Sequence, residues 1–179
     1  MSISTRSRER ADATIERLGD RYGEFTPTVR EGALTQPRYS ETVNRFEADG
    51  VIGGAGAWVR DQRDRVLLVR PRDSKGWVDP GRAQRAGESL EATARAAVGE
   101  QTGVGISIEG VRHAQLFEYQ AEDRGWPPVY ALNVLFDGEP TGERQPDAGD
   151  SIGAVDWWRS LPNTVAYEEM TELPFPATD

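Results

Sequence analysis

The segment GRAQRAGESLEATARAAVGEQTGV, residues 81–104, reads as a polar loop that runs into a single helix. Ser89 supplies an N-cap oxygen for the first free N–H groups and Gly103 a residue able to turn left-handed past the last turn, which predicts a helix over about Leu90–Thr102. Positions 97, 100 and 101 are spaced i, i+3 and i+4, so they share one helix face. That face reads Ala97, Glu100 and Gln101. Glu91 and Arg95 form an i, i+4 pair expected on the exposed side. Gly99 costs about 1 kcal/mol relative to alanine, so packing is expected to help hold it.

This frame resembles the Nudix box, the signature of the Nudix hydrolases, which runs G-x5-E-x7-R-E-U-x-E-E-x-G-U with U aliphatic. Glu88 takes the first glutamate, Val98 the aliphatic position, Glu100 the first of the paired glutamates and Gly103-Val104 the closing pair, with no gap. Elsewhere the chain departs from the pattern. Arg82 replaces the opening glycine, Ala96-Ala97 the Arg-Glu pair and Gln101 the second paired glutamate, while Arg85 stands where many members carry a glutamate. Arg95 lies one place early, on a different helix face.

The resemblance implies hydrolysis of a nucleoside diphosphate linked to another moiety, an ADP-ribose-like or nucleotide substrate. Mg2+ or Mn2+ on box carboxylates would neutralise phosphate oxygens and activate a water. On this register the metal candidates are Glu88, Glu100 and Gln101. Alanine at 97 offers neither ligand nor base, and glutamine at 101 offers only a neutral carbonyl to a hard cation. Magnesium often rests on one or two protein carboxylates plus substrate phosphates, so Glu88 and Glu100 leave a weak metal site open. The catalytic candidates are Glu100 and, for a base relocated to a bordering loop, Glu118 and Asp150, chosen over Glu122, Asp123 and Asp147. The expected outcome is impaired or specialised hydrolysis, or a catalytically inactive nucleotide- or phosphate-binding module acting as sensor or interaction protein.

Charge arithmetic gives the second outcome a physical basis. Arginine for glycine at 82 adds one positive charge, arginine for glutamate at 85 adds two, the losses of glutamate at 97 and 101 add one each, and the loss of arginine at 96 removes one, about +4 locally. Arg82 and Arg85, with Arg70 and Arg72, are therefore candidates to grip a phosphate without metal, since guanidinium binds phosphate as a bidentate fork, the alternative being that Arg82 and Arg85 are solvated loop charges. Trp126, in Arg-Gly-Trp-Pro-Pro, is a candidate to cover a base or to cap the sheet edge.

The whole chain has 179 residues and a net charge of -9, with Lys75 its only lysine, a composition resembling halophilic proteins. It argues against a nucleic-acid polymer as partner and leaves a small nucleotide or phosphate-containing metabolite. With no cysteine there are no disulfides, and His113 alone makes no histidine cluster. No apolar run spans a membrane and no signal sequence is evident, so the expected location is cytoplasmic.

Outward from the box, the pattern is α/β. Residues 51–59 and 66–69 read as adjacent strands, with Gly53, Gly54 and Gly56 easing close packing, followed by strands over 111–119, 129–136 and 154–158 and a short helix over 163–170. Trp77 reads as a core anchor. The order matches a Nudix-type α/β/α sandwich with a mixed sheet in residues 49–179, preceded by an N-terminal helical extension over 1–48. In that extension Ala11, Ile15, Leu18 and Tyr22 recur at helical spacing from about residue 5 to 22, with Gly23 as the stop. The stripe is expected to dock on the domain's own core, a homodimer or partner contact being its other use. Residues 24–49 read as a connector, with Arg30 and Arg38 as solvated charges.

Overall fold

The computed structural model describes residues 1–123 and 125–166. A five-stranded mixed sheet, in the order β1-β5-β6-β2-β4, forms the body of the molecule. Its strands are β1 (Thr28–Leu34), β2 (Gly53–Val59), β4 (Gly81–Ala83), β5 (Ile106–Ala121) and β6 (Val129–Pro140). The pairs β1–β5 and β2–β6 are parallel, whereas β5–β6 and β2–β4 are antiparallel. A second, two-stranded sheet joins β3 (Val66–Pro71) to β7 (Ile152–Trp158). The expected adjacency of β2 and β3 is therefore corrected: β3 leaves the main sheet, and only Arg60 and Val66 bridge across the turn. The two strands read alike because both are covered on both sides. Ala57, Val59 and Leu67 face one core, Trp58, Val66 and Leu68 another.

Helix α3 spans Leu90–Thr102, with the Ser89 hydroxyl accepting from the Ala92 N–H and Gly103 left-handed at φ 69°. It shares one face of the main sheet with α1 (Ile3–Tyr22), whose Ala11 and Leu18 are buried with Leu90, Ala94, Leu132 and Phe136. The apolar stripe of α1 thus docks on the chain's own core, as expected. Ser7, also buried, accepts the Tyr130 N–H of β6 at 3.0 Å. Trp77 packs in the third core, edge-on to Trp158 at 4.9 Å.

Four further expectations are corrected. Residues 24–49 are not a mere connector: they hold β1 and a second helix, α2 (Gln36–Asp49). Pro37 falls in the first turn of α2, where its missing N–H costs nothing, and β1 carries little apolar alternation because its burial is slight. Glu91 does not pair on an exposed face. It is 2% exposed and held bidentate by Arg17 of α1 at 2.9 and 3.0 Å, with Arg21 at 3.9 Å. Burial pushes its carboxyl up, but these guanidiniums prevail and its pKa is lowered. Gly99 is exposed and a β-carbon there would meet nothing, so no packing compensates it. Residues 163–166 are not helical, Val165 bridging Trp77, and the rest of the expected C-terminal helix lies outside the described residues. No described helix is long and apolar enough to cross a membrane.

Candidate functional site

The box loop is built against β2. A β-carbon at Gly54 would lie 2.4 Å from the Arg82 carbonyl, and one at Gly56 2.6 Å from that of Pro80. The glycines of β2 thus admit β4 at close range, which places Arg82 opposite Ala55. Gly87, at φ 77°, turns the loop so that Glu88 stands immediately before Ser89, the N-cap of α3. The loop then closes on itself: Gln84 Nε2 donates to the Glu88 carbonyl at 2.7 Å, and Thr93 Oγ1 donates to the Glu88 carboxylate at 3.0 Å.

Arg82 lies across both surviving carboxylates. Its Nη1 and Nη2 donate to Glu88 at 2.9 and 2.8 Å, and its Nε reaches Glu100 at 3.2 Å. The Arg82 side chain is only 13% exposed. The arginine hydrogen bonds hold the Glu88 carboxyl at about 2 against an ordinary 4.5, helped by the Arg85 N–H and Thr93 and opposed by burial. Arg85 touches Glu100 at 3.3 Å, and its side chain is 63% exposed. Gln101 donates its amide to the Gly81 carbonyl at 2.8 Å. Ala97 is buried.

These residues do not fit the magnesium or manganese cluster that the resemblance implies. Of the metal candidates, Glu88 and Glu100 already face a fixed cation, and Gln101 uses its amide as a tie to the loop. Among the described residues no group of three histidines, cysteines or acids is placed to hold a metal ion. A guanidinium delivers its charge through fixed N–H directions and cannot polarise a water as a metal does.

The other candidates are dispersed. Glu118 accepts from Gln120 Nε2 at 2.8 Å and, by strand alternation, faces away from the side on which His113, Gln115, Phe117 and Tyr119 line a large cleft. Asp150 is exposed, one residue before Ser151 at the cleft rim. Its loop caps the end of α3, Asp147 N–H bonding the Thr102 carbonyl and Gly149 N–H that of Gln101. Trp126 is not in the cleft; it packs edge-on to Tyr39 of α2 at 5.0 Å, while the Tyr39 hydroxyl donates to the Pro127 carbonyl. Arg70 lies over Trp77.

The cleft is the site the box residues border. Its volume is about 1380 Å³ and it is floored by β5, β6 and β2, with Arg82 and Gln101 on one side. Further lining comes from β1 and α2, through Arg30, Arg38 and Arg45 among others. Arg45 also bonds the Gln84 carbonyl, tying α2 to the box loop. The sequence reading missed this part of the lining, since a strand with exposed side chains and a helix with two buried anchors, Tyr39 and Phe46, leave almost no hydrophobic period.

Comparison with known proteins agrees with the architecture. A NUDIX hydrolase structure from Nitrosomonas europaea is 17% identical, with 69% of this chain and 85% of that chain covered and a TM-score of 0.52. A further NUDIX hydrolase structure from the same organism is 16% identical, with a TM-score of 0.51; the match covers 65% of this chain but only 63% of that one. An ADP-ribose pyrophosphatase from Streptococcus suis is 16% identical over 64% of this chain and 78% of that one, with a TM-score of 0.47. No curated protein sequence matches the chain. At such identity the structural likenesses show the fold alone. The family model described as NUDIX domain matches residues 52–171, and the chain therefore belongs to the NUDIX family.

Proposed function

We propose that this protein is a catalytically inactive member of its family, a module that binds a small nucleotide or phosphate-containing metabolite in the cleft without metal-dependent hydrolysis. The observation that carries the reading is the Arg82 guanidinium spanning Glu88 and Glu100. A half-buried fork held by two carboxylates supplies the fixed positive charge that a cation would otherwise bring. The departures at 97 and 101 act in the same direction. Loss of a general base typically removes about 10²–10⁴ in rate, and Ala97 and Gln101 provide none on the helix face.

The test is hydrolysis of ADP-ribose and nucleoside triphosphates with magnesium or manganese, beside a chain carrying Arg82→Gly, Ala96→Arg, Ala97→Glu and Gln101→Glu. The native protein is expected to turn over at least about 100-fold more slowly than that variant. Manganese binding read by electron paramagnetic resonance gives an answer independent of turnover: no bound ion at millimolar metal supports the reading. Native hydrolysis at the variant's rate, or tight manganese binding by the native chain, overturns it.

A further inference from the structure

We propose that the cavity between α1, the end of α2 and the box loop is a second binding site, taking a small zwitterion with an apolar body, of the α-amino acid class. It shares only Ile52 with the lining of the large cleft, and α1 and α2 lie outside the matched span of 52–171. The site is therefore separate from the cleft and independent of the reading above. Its volume is about 450 Å³, within the roughly 300–1,000 Å³ of ordinary small-molecule sites.

One side of α1 carries a row of arginines. Arg6, Arg10 and Arg17 are spaced by four and seven residues, which stacks them along one face of the helix. Ion pairs close both ends of the row: Arg6 donates to Glu47 of α2 at 3.0 Å, and Arg17 grips Glu91 of α3 at 2.9 and 3.0 Å. Arg10 stands in the gap between them and lines the cavity. Among the described residues nothing accepts from its side chain, although the arginines on either side have each been given an acid.

The opposite charge comes from Asp49, the last residue of α2, three positions after Phe46 and on its side of the helix. A carboxylate there meets the negative end of the helix dipole, and no basic residue in the last turn offsets it. Arg45, one turn earlier, gives its guanidinium to the Gln84 carbonyl instead. Asp49 also lacks a partner among the described residues.

The balance of charge decides the ligand class. The charged lining residues are Arg10, Arg17, Asp49 and Glu88, of which Arg17 is engaged by Glu91 and Glu88 by Arg82. One exposed cation and one exposed anion are left. A ligand of single charge would leave one of them unmatched, whereas a zwitterion sets its carboxylate on the Arg10 fork and its ammonium on Asp49. Phe46, Val51, Leu90 and Leu132, all buried, line the same cavity and suit an apolar side chain. Gln84, Gly87 and Ser89 of the box loop line it too, so an occupant would restrain that loop.

The experiment is calorimetric titration of the full chain with L-leucine, and with 4-methylpentanoate and 3-methylbutylamine, which keep its side chain but carry only the carboxylate or only the ammonium. Each analogue should bind at least about tenfold more weakly than leucine. Arg10→Gln should weaken leucine about tenfold and leave 3-methylbutylamine within twofold, whereas Asp49→Asn should weaken leucine about tenfold and leave 4-methylpentanoate within twofold. Glu9→Gln, on α1 but outside the cavity, should change none of these, and the folding of every variant is checked by circular dichroism and melting. Leucine should also slow amide exchange over residues 84–89. Absence of leucine binding at millimolar concentration overturns the site, as does leucine binding that is unaltered in both Arg10→Gln and Asp49→Asn. An affinity for 4-methylpentanoate equal to that for leucine overturns the assignment to a zwitterion.

Discussion

Arg82 and Glu88 face each other as a two-bond fork, 2.8 and 2.9 Å long, across a turn of six residues. The geometry converts a loop that the family pattern builds around carboxylates into one whose charges satisfy each other. Its stability should therefore depend on the ionisation of Glu88.

Glu88 has its pKa lowered to about 2 from 4.5, so its stabilising contribution is complete above pH 4.5 and is lost as pH falls toward 2. Glu88→Gln should cost about 1–2 kcal/mol near neutral pH, allowing for partial exposure of the pair. The melting difference between native and variant protein should shrink through that acidic window. A difference that stays constant from neutral pH down to pH 2 contradicts the assignment.

Removing one partner of the Arg17–Glu91 pair leaves a buried carboxylate short of a partner. Arg17→Ala should lower the unfolding free energy by about 3 kcal/mol, and the double replacement Arg17→Met with Glu91→Met should recover most of it. Urea denaturation of both variants measures this directly.

Gly99 is exposed within α3 and its missing β-carbon would touch nothing. Gly99→Ala should therefore raise stability by about 1 kcal/mol, with ligand binding unchanged. A loss of stability would show that the Gly99 face of α3 is not open to solvent.

At Gly149 the expected sign reverses. A β-carbon there would lie 2.1 Å from the Glu100 carbonyl, so the loop that caps α3 must retreat to admit one. Gly149→Ala should destabilise by about 1–3 kcal/mol. Faster amide exchange at Asp147 and Gly149, which bond the last helical carbonyls, would locate the damage.

How much of this was legible in the chain depended on where information is stored. Helix α3 was readable to its caps, because Ser89 and Gly103 mark its ends locally. The core strands were readable from their apolar runs, although burial on both sides concealed that β3 belongs to a separate sheet. The box was identified by its resemblance to the Nudix signature, carried by Glu88, Val98, Glu100 and Gly103-Val104 at the family's spacing. The pairing of Arg82 with Glu88 was not legible there, since a loop conformation set by Gly87 decides whether an arginine points at a neighbour or at a ligand. Glu91 misled for a related reason: an acid four residues before an arginine suggests a surface pair, and only the docking of α1 turns that face inward. Trp126 reads as a base cover or as a cap of the sheet edge, because a lone aromatic carries no sign of its partner, here Tyr39.

The parallel docking of β1 along the outer half of β5 bears on how the protein can be dissected. Cutting the chain back to the matched span, 52–171, would strip the β1-facing backbone groups of Gln115 through Ala121 of their partners and remove Ala11 and Leu18 from the interior. Such a fragment would present an unprotected template for strand addition and is expected to self-associate rather than remain monomeric.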